Sequence, residues 1–350
     1  MENEENVDIN SVYSEITGKK TIITSALLLI CIFVFLIDIA IGSAGLSIEE
    51  VILAIFHQST DINNIIVWEV RLPMTIAALL VGASLSIAGA EMQTILDNPL
   101  ASPFTLGLAA GAGFGAALAI VMGADQLPIV QGSFVTLNAF FFALIASLAI
   151  YYIAKLKKAT KEMMILAGIA ILFLFESGIS LQQYLATEDA LQEIVFWLMG
   201  SLQRVSWIDI GILILVLIPT TAWLTKKGWK LTTLKLGDER AKGLGINVES
   251  LRLKTMIVVS LLTAVAVSFT GIIGFIGLVG PHIARMLVGE NQKFFLIASA
   301  LAGSILLISA SIGSKLVIEG VIFPIGILTS IIGVPFFLAL ILSQKGGYWR

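Results

Sequence analysis

Few side chains in this sequence could do chemistry, and their spacing limits what that chemistry is. His57 and His282 stand far apart, and neither has a partner at metal-ligand spacing. The lone cysteine, Cys31, lies inside an apolar block, so there is no disulfide framework. Gly111-Ala-Gly-Phe-Gly-Ala116 resembles a nucleotide loop only superficially, because no strand precedes it and apolar residues surround it. Close helix packing through small residues accounts for it better. No Gly-x-x-x-x-Gly-Lys-Ser/Thr loop occurs, so the chain is not expected to hydrolyse ATP itself. The acids Asp38, Glu91, Asp97, Glu176 and Glu319 lie in or beside apolar blocks and could relay protons. Most fall near block ends, where they reach water.

The most unusual stretch is Gly274-Phe-Ile-Gly-Leu-Val-Gly-Pro-His-Ile-Ala-Arg285. It is apolar, yet it carries three glycines, a proline, a histidine and an arginine. Lipid does not select those residues, because a freed backbone group in hydrocarbon costs several kcal/mol. The segment is therefore expected to be buried in protein and to bend or end. His282 is expected to be a hydrogen-bonded structural residue rather than a metal ligand.

The elements that position these groups follow from composition. The chain has 350 residues, 57% hydrophobic and 13% charged, with mean hydropathy +0.98. Soluble domains are about 25% charged. The apolar residues fall in blocks long enough to cross a bilayer as helix. The expectation is an all-α polytopic membrane protein. Ten spans are read at 21–42, 74–92, 105–122, 134–154, 163–181, 207–224, 255–269, 271–288, 294–312 and 326–342. The eighth is short and weakly apolar, so nine is the rival count. With both termini cytoplasmic, only Arg71, Arg204 and Lys315 of the 21 basic residues fall outside. Nine spans would weaken that bias, so ten is preferred.

Residues 1–20 are polar and acidic and read as a cytoplasmic tail; residues 21–350 form one membrane domain. The first block is too long for a signal h-region and lacks a cleavage pattern. In the outer segment, Ser47 precedes Glu49 and Glu50 and reads as the cap of an amphipathic helix. The inner segment 225–254 is the most basic part of the chain. There, Asp238-Glu-Arg-Ala-Lys242 places acids first and bases last, suiting one helical turn that Gly243 and Gly245 end.

Several segments together resemble the FecCD family of ABC-transporter permeases. Arg71-Leu-Pro-Met74 through Gly82, Gly89 and Gln93 is similar to the family's second span. Asp97-Asn98-Pro99-Leu-Ala-Ser-Pro103 with Leu106–Gly111 is similar to its following turn and third span. Trp197-Leu-Met-Gly200-Ser-Leu202, Leu236–Gly245, the segment from Gly274 through Gly277, Pro281 and His282 to Arg285, and Pro324-Ile-Gly326 through Pro335 follow in order. The chain departs from the pattern at Met74, where a second arginine is usual, and at Ile322, where a glutamate is usual.

The resemblance implies a permease subunit that imports an iron chelate, foremost a ferric siderophore, with haem or cobalamin as alternatives. A proton-coupled secondary transporter is the remote alternative. It implies a second permease subunit, identical or paralogous, and two cytoplasmic ATPase subunits that use the ATP. It also implies an extracytoplasmic binding protein, and a bacterial or archaeal cytoplasmic membrane. No cofactor, metal or nucleic acid is expected on this chain. Gly237, Asp238, Glu239, Arg240, Ala241 and Gly245 are then the ATPase-coupling residues. Arg71, Arg204 and Lys315 are the binding-protein docking candidates. The other named motif residues are structural, with Asn98 and Pro99 shaping a tight inner turn.

Overall fold

The computed structural model describes residues 9–42, 45–123, 131–156, 160–318 and 320–343. Glu319, and Lys157, Lys158, Lys345 and Arg350 from the charge count, lie outside the described residues. The described chain is all-α. Its helices are α1 (Ile9–Ala40), α2 (Ile48–Ile55), α3 (Asp61–Ile65), α4 (Leu72–Leu96), α5 (Leu108–Val121), α6 (Gln131–Leu156) and α7 (Lys161–Leu185). They continue with α8 (Glu188–Leu198), α9 (Trp207–Leu234), α10 (Asp238–Gly243), α11 (Val248–Thr270), α12 (Ile276–Val288), α13 (Gln292–Leu316) and α14 (Ile325–Ser343). A π-helical turn, Ile66–Arg71, joins α3 to α4.

All ten expected spans have an apolar helix. Seven are long enough to cross a membrane, and α5, α12 and α14 are shorter. Two boundaries differ from expectation. Helix α1 begins at Ile9, inside the stretch read as a tail. The eighth span is helical only from Ile276, and residues 271–275 are non-helical. At 1.5 Å per residue α12 is about 20 Å long, short of the roughly 30 Å hydrocarbon core.

Local signals explain the helix starts. Ser47 and Glu50 form a reciprocal capping box on α2, as the sequence suggested, and Ser206 with Asp209 does the same for α9. Thr160 caps α7. Helix α4 ends at Asp97, in the left-handed conformation with φ 47°. The Asn98 side chain then accepts from the Leu100 N–H at 2.9 Å, making the tight turn expected of Asn98-Pro99.

Helix α4 is the hub, packed by α9, α11, α12 and α13. Small residues permit this. A Cβ at Gly89 would overlap the Gly277 carbonyl of α12, and one at Gly82 would meet the Gly303 carbonyl of α13 at 2.6 Å. A Cβ at Gly277 would stand 2.8 Å from the Leu85 carbonyl. Membrane helices associate by such close contact because lipid gives no hydrophobic drive between them. Pro281 is tolerated inside α12 because it is buried against protein. Thus the Gly274–Arg285 stretch is protein-covered and interrupted, as its composition demanded.

Candidate functional site

Two features stand out: a tied helix at the inner end and an apolar cavity further out. The charge bias defines inner and outer here. Helix α10 is the expected turn, with Gly237 at its N-cap (φ 95°) and Gly245 past its end (φ 80°). Both backbone conformations are strained for a residue with a Cβ. Glu239 and Arg240 are exposed, Lys242 pairs with Glu239 at 3.3 Å, and Ala241 is fully buried. One face of α10 is thus charged and free while the other is locked down.

The lock is Arg252, which sequence reasoning missed. It is 1% exposed. Its NH2 donates to both Asp238 oxygens, at 2.9 and 3.1 Å, and its Nε donates to the Ile95 carbonyl at 2.8 Å. One guanidinium therefore joins α10 to the inner end of α4. Its charge is used internally although it lies in the most basic segment of the chain.

Beside it runs an alternating chain of charges. Lys161 at the start of α7 meets Asp97 at 2.9 Å, and Lys235, two residues before Gly237, meets Asp97 at 3.6 Å and Glu290 at 3.2 Å. Glu290 meets Arg285 of α12 at 2.9 Å, and Arg285 donates to Gln93 of α4 at 2.9 Å. Two of the motif residues, Gln93 and Arg285, are thereby partners. Burial alone would raise the Asp97 carboxyl. The hydrogen bond and charge of Lys161, followed by Lys235, outweigh it and hold the group below the usual carboxylate range. The clasp ties the inner ends of α4, α7, α9 and α12.

Farther out lies a cavity of about 690 Å³. Its walls include Leu100, Phe104, Leu198, Met199, Ile272, Phe275 and Ile331, with the hydroxyls of Ser102, Thr105 and Ser330. Gly274 and Gly326 also line it, but no charged side chain does. The non-helical 271–275 backbone is tolerated at this depth because protein and cavity cover it. The Ser201 N–H donates to the Thr270 carbonyl at 2.7 Å, and the Gly326 N–H to the Met199 carbonyl at 3.0 Å. Gly200, Gly271 and Gly326 allow these backbones to touch. Trp197 is buried at this junction. Pro324 precedes α14 and Pro335 lies inside it.

The outer bases are mostly not where docking needs them. Lys315 is 4% exposed and pairs with Asp38 at 2.8 Å; Thr75 donates to the other Asp38 oxygen at 2.6 Å. Arg71 is 3% exposed and donates to the carbonyls of Ile39, at 3.1 Å, and Ala40, at 2.9 Å. These two join the outer ends of α1, α4 and α13, and neither presents its charge to a protein outside. Only Arg204 is exposed. It lines a second cavity of about 460 Å³ with Gln203, Met74, Ile322 and Pro324, and Glu193 lies within its electrostatic reach. The two departures from the family pattern, Met74 and Ile322, thus share one cavity.

Two further expectations change. His282 is half-buried and makes no side-chain hydrogen bond among the described residues, so it is not held as expected. Glu91 is 0% exposed, and neither of its carboxylate oxygens has a hydrogen-bond partner among the described residues. It does not reach water as a span-end acid would. No cluster of three His, Cys, Asp or Glu side chains that could hold a metal occurs among the described residues.

Comparison with known proteins accords with this arrangement. The model of the FecCD transport family matches residues 29–343. A Methanocaldococcus jannaschii protein assigned as an ABC transporter permease is 43% identical over 346 residues, covering 97% of this chain and 99% of that protein. The vitamin B12 import permease BtuC of Vibrio vulnificus is 33% identical over 324 residues (92% and 96%). The hemin transport permease HmuU of Yersinia pestis is 32% identical over 316 residues (90% and 95%). A solved transporter described as metal-chelate type, in an inward-facing conformation, matches with TM-score 0.80 and 29% identity. That match covers 93% of this chain and all of the solved one. A polytopic helical chain with a tied inner helix, aligned almost end to end with such permeases, belongs to the FecCD transport family and is an ABC importer permease.

Proposed function

We propose that this chain forms half of the membrane channel of an importer for a bulky metal chelate, foremost a ferric siderophore. Haem and cobalamin are the alternatives within the same class. The chain pairs with a second permease subunit, identical or paralogous, in a bacterial or archaeal cytoplasmic membrane. A binding protein delivers cargo from outside, and two ATPase subunits engage α10 from inside. The chain itself binds no cofactor; the ATPase subunits use the ATP.

The apolar cavity carries the reading. A bare cation needs carboxylate, imidazole or thiolate ligands, and the cavity walls offer only hydroxyls beside apolar side chains. A finished chelate needs no new ligands, only a route that does not hold it. Ordered hydroxyls and apolar walls supply weak, non-directional contact. The tied α10 supports the other half of the mechanism. Movement imposed on α10 passes through Asp238 and Arg252 to the Ile95 carbonyl, and through Lys235 to Asp97 and Glu290.

The test is uptake by the reconstituted transporter. Labelled ferric siderophore, haem and cobalamin are supplied with their binding proteins, with and without ATP. ATP-dependent accumulation of one of them is expected. Accumulation that persists without ATP and collapses with a protonophore would instead support the proton-coupled reading.

A further inference from the structure

The outer segment between α1 and α4 carries an apolar surface that none of the described residues covers. Around its axis α2 divides into three arcs. Val51 and Ala54 are buried against Ile39 of α1 and Val67 of the π-helical turn. Glu49 and Glu50 take another arc, with Glu50 turned back to accept from the Ser47 N–H at 2.8 Å. Between these run Ile48, Ile52 and Phe56, at i, i+4 and i+8, each more than half exposed. Ile62 and Ile65 of α3 are exposed in the same segment. The protein thus uses only part of the apolar side of α2. A row of large apolar side chains left uncovered marks a surface that meets another apolar medium.

The packing of α2 fixes its depth. Phe35 and Ile39 of α1 join one apolar cluster with Ile55 and Val67. Phe35 lies five residues, about 8 Å, inside the end of α1 at Ala40. Helix α2 therefore rests against the last turns of a span. Two tryptophans hold the same level. The Trp68 indole N–H donates to the Ala54 carbonyl at 3.1 Å, and that of Trp207, the first residue of α9, to the Trp68 carbonyl at 3.0 Å. The His57 ring stacks on Trp68, with ring centres 4.9 Å apart. Tryptophan collects where a span leaves the hydrocarbon. The spans tied to this segment show apolar side chains to their surroundings: Phe33 and Leu36 on α1, Ile208 and Leu215 on α9. The α2 stripe stands at the outer edge of those two lipid-facing surfaces.

Charge argues against a protein in that place. Residues 45–70 hold four acids, Glu49, Glu50, Asp61 and Glu69, and no lysine or arginine. The segment gives an acidic partner no base, whereas Arg204 does so elsewhere on the outer face. One apolar row beside one acidic row is the pattern of a helix lying in the plane of the interface.

We infer that α2 is embedded in the outer leaflet, with lipid as the partner of its exposed row. Ile48, Ile52 and Phe56 enter the boundary between headgroups and acyl chains, and Glu49 stays in water. The segment sets the level at which α1 and α4 leave the bilayer. Arg71 shares that level, since it donates to the Ile39 and Ala40 carbonyls at the same junction. The hold is apolar, so salt does not weaken it.

The experiment measures what the exposed row touches. Cys31, the single cysteine, is replaced by Ser, and Ile48→Cys, Ile52→Cys, Phe56→Cys and Glu49→Cys are introduced one at a time. Each is spin-labelled in the assembled transporter in phosphatidylcholine liposomes. Collision rates are read with oxygen, which concentrates in hydrocarbon, and with a water-soluble nickel chelate. The oxygen-to-nickel ratio at the three apolar sites should exceed that at Glu49→Cys at least about threefold. Added salt and added binding protein should leave it unchanged. Equal ratios at all four sites would place the row in water and overturn the inference. Labels shielded from both reagents would show a covering protein such as a second copy of this chain. Shielding that appears only with the binding protein would make the row a docking face; either result overturns the inference. Wild-type protein gives a second reading that no substitution can spoil. A phosphatidylcholine carrying a photoactivatable group near its headgroup should label the peptide that contains Ile48–Phe56. Labelling of α1 and α9 without that peptide refutes the embedding.

Discussion

Replacing Arg252 with Met should separate ATP hydrolysis from transport. The guanidinium is almost wholly buried, while Asp238 keeps 33% of its side chain in contact with solvent. Breaking a fully buried ion pair from one side costs about 3–5 kcal/mol, because the other charge is left unpaired. Asp238 can recover water, which lowers that figure, but the Ile95 carbonyl also loses its charged donor. A net loss of about 2–3 kcal/mol of local stability follows. Asp238→Ala removes the carboxylate from the more deeply buried partner, so it should cost more, toward about 4 kcal/mol. The double variant should cost less than the sum of the singles, with a coupling of about 1.5–3 kcal/mol. Unfolding in mixed micelles measures the stability cycle. Reconstituted transporter measures function: ATPase turnover should persist while uptake falls at least tenfold. Additive effects within about 0.5 kcal/mol, or full uptake by Arg252→Met, would refute the tie between α10 and α4.

Other outcomes follow from the same geometry. Gly89→Val should prevent folding, because its Cβ would overlap the Gly277 carbonyl and backbone cannot step aside as a side chain can; yield in membranes measures this. Ser330→Trp should obstruct the cavity and lower uptake while leaving ATPase stimulation by the binding protein intact. Arg204→Glu should weaken binding-protein affinity, and added salt should shrink the difference from wild type, whereas Arg71→Gln should chiefly lower stability. The Asp97 carboxyl is held low in the folded state, so the stability it lends is present above the ordinary carboxylate range. That stability is lost as pH falls from the ordinary carboxylate range through the lower folded value. Asp97→Asn should flatten the acid limb of a stability–pH curve, and an unchanged limb would show that the clasp is not the titrating element.

Much of this was legible in the residues. Apolar blocks and their helical length fixed the class and ten helices, because the bilayer sets both. The α10 turn was legible because its signals are local: acids first, bases last, glycines after. So was the interruption of the eighth span, since glycine and proline act on their own backbone. The assignment of Arg71 and Lys315 to an outer docking face was not sound, because charge bias gives a side of the membrane and says nothing about burial. Asp38 absorbs Lys315 across most of the sequence, and only the packing of α1 against α13 brings them together.

The sequence alone determined an all-α membrane protein with a charged inner turn, since bilayer thickness and backbone propensity are properties of short stretches. Tertiary structure decided which charges are spent inside the protein. Arg252 with Asp238 and Arg285 with Gln93 are partners that no spacing rule could name, because helix periodicity reveals a face but not what packs against it. It also decided which acid stays on the outside of a span. Glu91 and Glu176 read alike as letters, yet α4 is enclosed by four helices and α7 leaves Glu176 exposed.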